Sequence, residues 1–389
     1  MSSSAEPRSN RPARIAMLMG ALPLGSRERM MISVARALMA AGHRVDLLVP
    51  GSSPHWREAV PEGARLLELG RGFVDRLRNK QRLALCVPLI ARYLRRECPD
   101  VLFTMSIPPN LAGLAAGRLA GSRVPVVIRQ SNVVHLASSE AYRNVRARRR
   151  DRLIPLLYPS AEGAIAVSHG VADNLQRVTT LPAERIRVIY NQVVGPELQE
   201  RAAEPVECSW LEDAEVPVLL AVGRLVTKKD YPILLRTLAR LRQRMGEVRL
   251  IILGEGDQRS HLEALRSELG LEQAVALPGR IDNPFAWMAR ADLLVLSSIS
   301  EGMPSVLIEA MACGCPVVAT DCPAGPAEIL GQGRYGRLVP VGDEPALAEA
   351  IEATLREPVN GALLAQRADD FSVGGAINQY VEVLLARPR

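Results

Sequence analysis

Two α/β domains, each a doubly wound parallel sheet covered by helices on both faces, are what this sequence predicts, and three observations carry the prediction. The chain has 389 residues, 48% of them hydrophobic, which is too long for one ordinary core and apolar enough for two. Short runs rich in Val, Ile and Leu alternate with helical patterns, as in a parallel sheet wrapped by helices. The alternation restarts at Val216, after a polar stretch from Glu200 to Glu215 that carries Pro205.

The segment 1–13 is Ser, Pro and Arg without an apolar stretch, so it reads as a frayed leader rather than a secretion signal, and a cytoplasmic location follows. The first domain is expected over 14–200. Arg14 to Met19 is a strand ending at Gly20, and apolar residues at 3.6 spacing make a helix from about Ser26 to Ala41, where Gly42 stops it. Further strands are expected at Val45–Val49, Arg65–Leu69, Val101–Met105, Val124–Ile128, Ala164–Val167 and Ile186–Tyr190. The second domain is expected over 201–370. It opens with VPVLLAVG from Val216, followed by strands at Val248–Leu253, Val275–Leu277, Leu293–Leu296 and Pro316–Ala319. Ligands of such sheets bind at the carboxyl ends of strands, so a cleft between two facing sheets is the expected site.

Chemistry concentrates in Glu301-Gly-Met-Pro-Ser-Val-Leu-Ile-Glu309, which follows the strand sequence LLVLSS and runs into a helical pattern. Glu301 falls in the loop and Glu309 about one turn into the helix. Carboxylates accept hydrogen bonds from paired hydroxyls, whereas the free amides and dipole of a helix start favour phosphate. One turn can thus hold ribose, diphosphate and sugar, with Gly302, Met303, Pro304, Ser305 and Val306 lining it. The apolar MACGCPVV that follows argues against a solvent-facing helix. A second element, Gly223-Arg224-Leu225 with Lys229, ends the first strand of the second sheet. Arg forks across phosphate oxygens and Lys adds a point charge, so the pair can take the charge developing on a diphosphate leaving group. No D-x-D sequence offers a divalent metal its ligands. Gly254-Glu255-Gly256-Asp257 and Pro278-Gly-Arg280-Ile281 end the next two strands. The first can lay backbone near a phosphate or sugar, or form a plain tight turn; the second can meet a base edge.

At these residues the sequence resembles the retaining glycosyltransferases of family 4, which have the GT-B fold of two Rossmann-like domains. The matching elements are Glu301 to Glu309, GRL-x3-K with Arg224 and Lys229, GEGD at 254–257, DCPAGPAEIL at 321–330, AVSHGVADNL at 166–175 and VIYNQV at 189–194, so the resemblance spans nearly the whole chain. It implies that Glu309 binds ribose hydroxyls, that Glu301 and the backbone after it hold the sugar, and that Arg224 and Lys229 stabilise the diphosphate. Transfer without metal or further cofactor and with retention is implied too, the acceptor attacking on the face the leaving group departs. So is a last segment, 371–389, that crosses back to the first domain. The first domain departs from the pattern: Gly25-Ser26-Arg27-Glu28 stands where many relatives have Gly-Gly-x-Glu. For the acceptor-side role of a His near VVIRQSNVVH, His135 competes with Arg129, Ser131 and Asn132.

Charge separates the halves. Residues 1–200 hold 29 basic and 16 acidic side chains, net +13, and the remainder nets −7. Arg143, Arg146, Arg148, Arg149, Arg150 and Arg152 precede Leu153, Ile154, Leu156 and Leu157, a pattern that fits either a solvated face or contact with an anionic membrane surface. Nucleic acid is not an expected partner, because aromatics are only 4% of the chain and supply no stacking platform. The six cysteines are few and irregularly spaced, which excludes a disulfide framework, and Cys313, Cys315 and Cys322 lack a fourth ligand at zinc spacing. The reading is transfer of a hexose or N-acetylhexosamine from a nucleotide-diphosphate sugar, most simply UDP-linked, to a carbohydrate or lipid-linked acceptor, in bacterial surface polysaccharide or lipopolysaccharide assembly. A sugar-nucleotide epimerase of similar fold and a non-catalytic nucleotide-sugar-binding protein are the rivals.

Overall fold

The computed structural model describes residues 11–20, 26–51, 59–72, 79–121, 124–134, 151–195, 197–213 and 215–386. Its strands form two sheets. The first contains β1 (Arg14–Leu18), β2 (Arg44–Pro50), β3 (Arg65–Leu69), β4 (Val101–Met105), β5 (Val126–Gln130), β6 (Gly163–Ala166) and β7 (Ile186–Val188), in the order β3-β2-β1-β4-β5-β6-β7. The second contains β8 (Val218–Val222), β9 (Arg249–Leu253), β10 (Val275–Gly279), β11 (Leu293–Leu296), β12 (Val317–Thr320) and β13 (Arg337–Val339), in the order β10-β9-β8-β11-β12-β13. Neighbouring strands pair in parallel throughout, as in β1 with β4 and β8 with β11. Parallel strands need helical crossovers, and helices on both faces leave no strand face for water. Accordingly β4 and β5 are buried at every residue, and both begin with apolar runs, broken by Thr104 in β4 and by Arg129 and Gln130 at the end of β5.

Three of the expected strands start late for one reason. Pro125, Pro217 and Pro316 have no N–H to give a ladder, so each contributes only its carbonyl, to Leu102 N, Arg249 N and Leu294 N at 2.9 Å, and β5, β8 and β12 begin at the following valine. The edge strand β13 was not expected; its three residues follow the turn-rich Gly331–Gly336 and are too few to show a period. Helix ends obey local chemistry. The helix Tyr231–Met245 buries Ile233, Leu234, Leu238 and Leu241 and stops at Gly246, whose φ of 86° turns the chain while its N–H bonds the Arg242 carbonyl.

The described residues divide into two compact units. One holds those up to Ala166, Asn174–Ile189 and those from Ile377 on; the other holds Val167–Asp173 and Tyr190–Ala376. In the first unit, Tyr380 of the helix Val373–Leu385 lies under the sheet, 1% exposed, its hydroxyl accepting a 2.6 Å bond from Arg129 Nε and its ring edge-on to Phe103 at 6.1 Å. The buried Asn110 joins β4 to β5, its amide accepting from Thr104 and donating to the Arg129 carbonyl and the Tyr158 hydroxyl. No helix among the described residues is long and apolar enough to cross a membrane.

Candidate functional site

In the second sheet the chain builds outward from β8 to β10, then returns to place β11 on the other side of β8. Loops at the carboxyl ends of β8 and β11 therefore leave in opposite directions, and a crevice opens between them. Lys229 comes from one loop and Glu301 from the other. Their Nζ and Oε1 atoms are 2.7 Å apart, and Lys228 Nζ is 3.2 Å from Oε2. Ser298 Oγ donates to Oε1 at 2.9 Å. The backbones are tied as well, since Ser297 Oγ donates to the Lys229 carbonyl at 2.8 Å and Ile299 N to the Lys228 carbonyl at 2.9 Å.

Glu301 is 6% exposed. Burial alone would raise its pKa, but Lys229 and Lys228, with hydrogen bonds from Lys229 and Ser298, outweigh it and hold the carboxyl below its ordinary value. Glu309, half-buried in the helix Ser305–Ala312, has no hydrogen-bond partner for its carboxylate among the described residues. Burial pushes its pKa up to about 7, with Lys229 pulling weakly the other way. Two carboxyl groups of one turn thus sit in environments that push them apart, one a fixed anion and one poised near neutrality.

Lys229 closes a 3-10 turn that ends at Asp230, whose φ of 46° redirects the chain into the helix beginning at Tyr231. A Cβ on Gly223 would lie 2.9 Å from the Tyr231 hydroxyl and 3.0 Å from Lys229 Cε, so only glycine leaves room there. That hydroxyl is buried without a partner among the described residues, and burial, aided by Glu301, raises its pKa. The loops ending β8, β9 and β10 lie side by side, joined by Gly223 N to Leu253 O, Leu225 N to Glu255 O and Gly254 N to Gly279 O. A Cβ at Gly254 would stand 2.0 Å from the Gly223 carbonyl oxygen, and one at Gly256 2.2 Å from that of Leu225.

The structure therefore brings Lys229, Glu301 and the helix start together, and it adds Lys228 and Ser298, which the motif reading overlooked. A second lysine in the doublet was the only signal for Lys228. Arg224 and Arg280 are exposed and make no ion pair among the described residues, Ile281 is half-buried, and the Glu255 carboxylate is engaged by Arg259. Gly302, Met303 and Pro304 are buried beside Glu301, with Ser305 and Val306 half-buried. Gly325, at φ +94°, packs on this turn; a Cβ there would meet Pro304 Cδ at 2.6 Å. Two long-range contacts were not read from the sequence, although their donors lie in the segments 166–175 and 189–194: Ser168 Oγ donates to the Gly302 carbonyl at 2.7 Å, and Asn191 Nδ2 to that of Met303 at 3.1 Å.

On the acceptor side, Gly25 and His135 lie outside the described residues, as do Arg143 to Arg150 and the side chains of Ser26 and Glu28. Arg129 is 3% exposed, bonded to Tyr380 and to Ser131 Oγ, while Asn132 is exposed and its carbonyl accepts from Gln130. Leu153 and Leu156 are exposed. All six cysteines are free thiols, and among the described residues no cluster of three or more His, Cys, Asp or Glu is placed to hold a metal ion.

Comparison with known proteins places this geometry in a family. Residues 216–357 match the model described as glycosyl transferases group 1, and residues 28–194 match glycosyltransferase family 4. The N-acetylgalactosamine-N,N'-diacetylbacillosaminyl-diphospho-undecaprenol 4-alpha-N-acetylgalactosaminyltransferase of Campylobacter jejuni is 31% identical over 275 residues, 70% of this chain and 72% of that protein. The lipopolysaccharide core biosynthesis glycosyltransferase LpsE of Rhizobium meliloti is 27% identical over 372 residues, 94% of this chain and 97% of that protein. Among solved structures, Anabaena Alr3699/HepE in complex with UDP superposes with a TM-score of 0.71 at 22% identity, covering 96% of this chain and 99% of that one. The two sheets and their strand orders are those of the GT-B fold, and the chain belongs to glycosyltransferase family 4.

Proposed function

We propose that this chain transfers a hexose or N-acetylhexosamine from a UDP-linked donor, with retention and without a metal ion, to a lipid-linked carbohydrate acceptor. The observation that carries the reading is the Lys229–Glu301 pair across the strand-order reversal of the second sheet, beside a helix start that bears Glu309. Glu309 receives the ribose hydroxyls and Glu301 the sugar. An ammonium has three donors, so Lys229 can keep Glu301 and still reach a phosphate oxygen, joined by Lys228 and by Arg224 swinging in from solvent. These cations supply the charge stabilisation that a metal gives elsewhere.

The Campylobacter relative is named for transfer to a diphospho-undecaprenol-linked sugar, which supports a lipid-linked acceptor here. A net charge of +13 on residues 1–200 supports work at an anionic membrane surface on the cytoplasmic side. Thermal shift with UDP-glucose, UDP-galactose and their N-acetylamino counterparts tests the donor. The stabilising donor is then incubated with lipid-linked sugars in EDTA, and the anomeric configuration of the product is read by NMR. Transfer that survives EDTA and retains the donor configuration is expected. Donor conversion with no acceptor present would identify an epimerase instead, and UDP binding with no release from any UDP-sugar a non-catalytic binder.

A further inference from the structure

We infer that Ser168 and Asn191 are positioning residues whose bonds to the turn after Glu301 aim the Met303 amide hydrogen at the sugar of the donor, an inference that rests on the donor-site reading above. Ser168 is fully buried. Its oxygen accepts from Val171 N at 3.2 Å, so its single proton is committed to the Gly302 carbonyl at 2.7 Å. In a trans peptide the carbonyl and the following N–H point in opposite directions. Drawing the Gly302 carbonyl onto Ser168 therefore turns the Met303 N–H to the other side of the chain, where it has no acceptor among the described residues although Met303 is only 5% exposed. An unpaired donor in such a place is costly unless a ligand completes it. Asn191 holds the next carbonyl, that of Met303, at 3.1 Å and fixes the peptide plane that leads into the helix.

The seat of Ser168 is itself fixed. Glu328 accepts from His169 N and Gly170 N, both at 2.8 Å, at the start of the helix His169–Val178. A Cβ on Gly170 would come 2.8 Å from Ala324 Cβ and 2.9 Å from the Pro323 carbonyl oxygen, and Gly325 packs on Gly302 and Pro304. Residues 302–304, 323–328 and 168–170 thus close a rigid circuit, with Ser168 as the link back to Gly302.

A sugar hydroxyl can donate to Glu301 and accept from the adjacent Met303 N–H at once, whereas UDP has no sugar to offer. Sensitivity to the sugar alone is therefore the signature. Calorimetry compares wild type, Ser168→Ala, Asn191→Leu and Ser168→Thr, using UDP and the UDP-sugar that most stabilises the wild type, alongside kcat and KM for donor consumption. Each removal should leave the UDP Kd within about twofold while weakening UDP-sugar binding and turnover about tenfold, and Ser168→Thr, which keeps the hydroxyl, should recover most of the loss. Equal losses for UDP and UDP-sugar, or unchanged handling of UDP-sugar, overturn the inference. If Ser168→Ala does not fold, Asn191→Leu decides by the same comparison. A wild-type chain that binds neither UDP nor any UDP-sugar overturns the donor-site reading itself, and that arm is read before any substitution is made.

Discussion

Glu301 and Glu309 lie on one turn yet titrate in opposite directions, and the difference makes a pH prediction. Burial lifts the Glu309 carboxyl to about 7, so the free protein favours its neutral form and loses stability as pH rises through that value. Ribose hydroxyls donate to the ionised form, which means UDP binding selects it. Affinity for UDP should therefore rise between about pH 6 and pH 8, by up to about tenfold per unit below the pKa, and Glu309→Gln should flatten the profile in calorimetry. Arg224 makes the second residue-scale prediction. Exposed and without an ion pair among the described residues, it can be removed with little effect on the fold, but leaving-group charge grows toward the transition state. Arg224→Ala should cut kcat on the order of 10²-fold and change donor Kd far less; equal effects would count against its role. The four charged residues of the donor reading were legible in the sequence because short motifs carry them at set spacings. Ser298 and Tyr231 were not: a serine ending an apolar strand and a tyrosine opening a helix read as ordinary core boundary until a partner 3 residues away, or the lack of any, is seen in space.

Elements place these residues by close backbone contact rather than by side-chain packing. Gly254 touches the Gly223 carbonyl so tightly that a methyl group has no room, and the β8 loop it presses on carries both Arg224 and Lys229. Gly254→Ala should destabilise by about 1–3 kcal/mol in urea unfolding, and the displaced β8 loop should lose UDP affinity along with it. A variant that binds UDP normally would show that the loops are not coupled. In the sequence GEGD looked equally like a plain tight turn, since two glycines do not reveal what passes beside them. Strand positions were easier. Parallel strands buried on both faces leave apolar runs, and proline's missing N–H at Pro125, Pro217 and Pro316 delayed where pairing starts. The three-residue β13 is held by its neighbour β12 and by nothing that a window of sequence could register.

At the scale of the molecule, the first unit is discontinuous in sequence. Residues from Ile377 on belong to it, and Tyr380 reaches Arg129 on β5 and Phe103 on β4. Deleting the chain from Ile377 removes one acceptor, the Tyr380 hydroxyl, from a buried guanidinium and the cover from an aromatic ring. Hydrogen exchange should then speed up in β4 and β5 while β8 and β9 stay protected; equal protection in both sheets would show the tail to be dispensable. The second unit needs no such remote segment after Ala376. During translation, then, the half made first cannot be finished first. Its nascent sheet must wait, with Phe103 unshielded, until the ribosome has delivered everything between, so a chaperone that tends unfinished chains should hold this half longest.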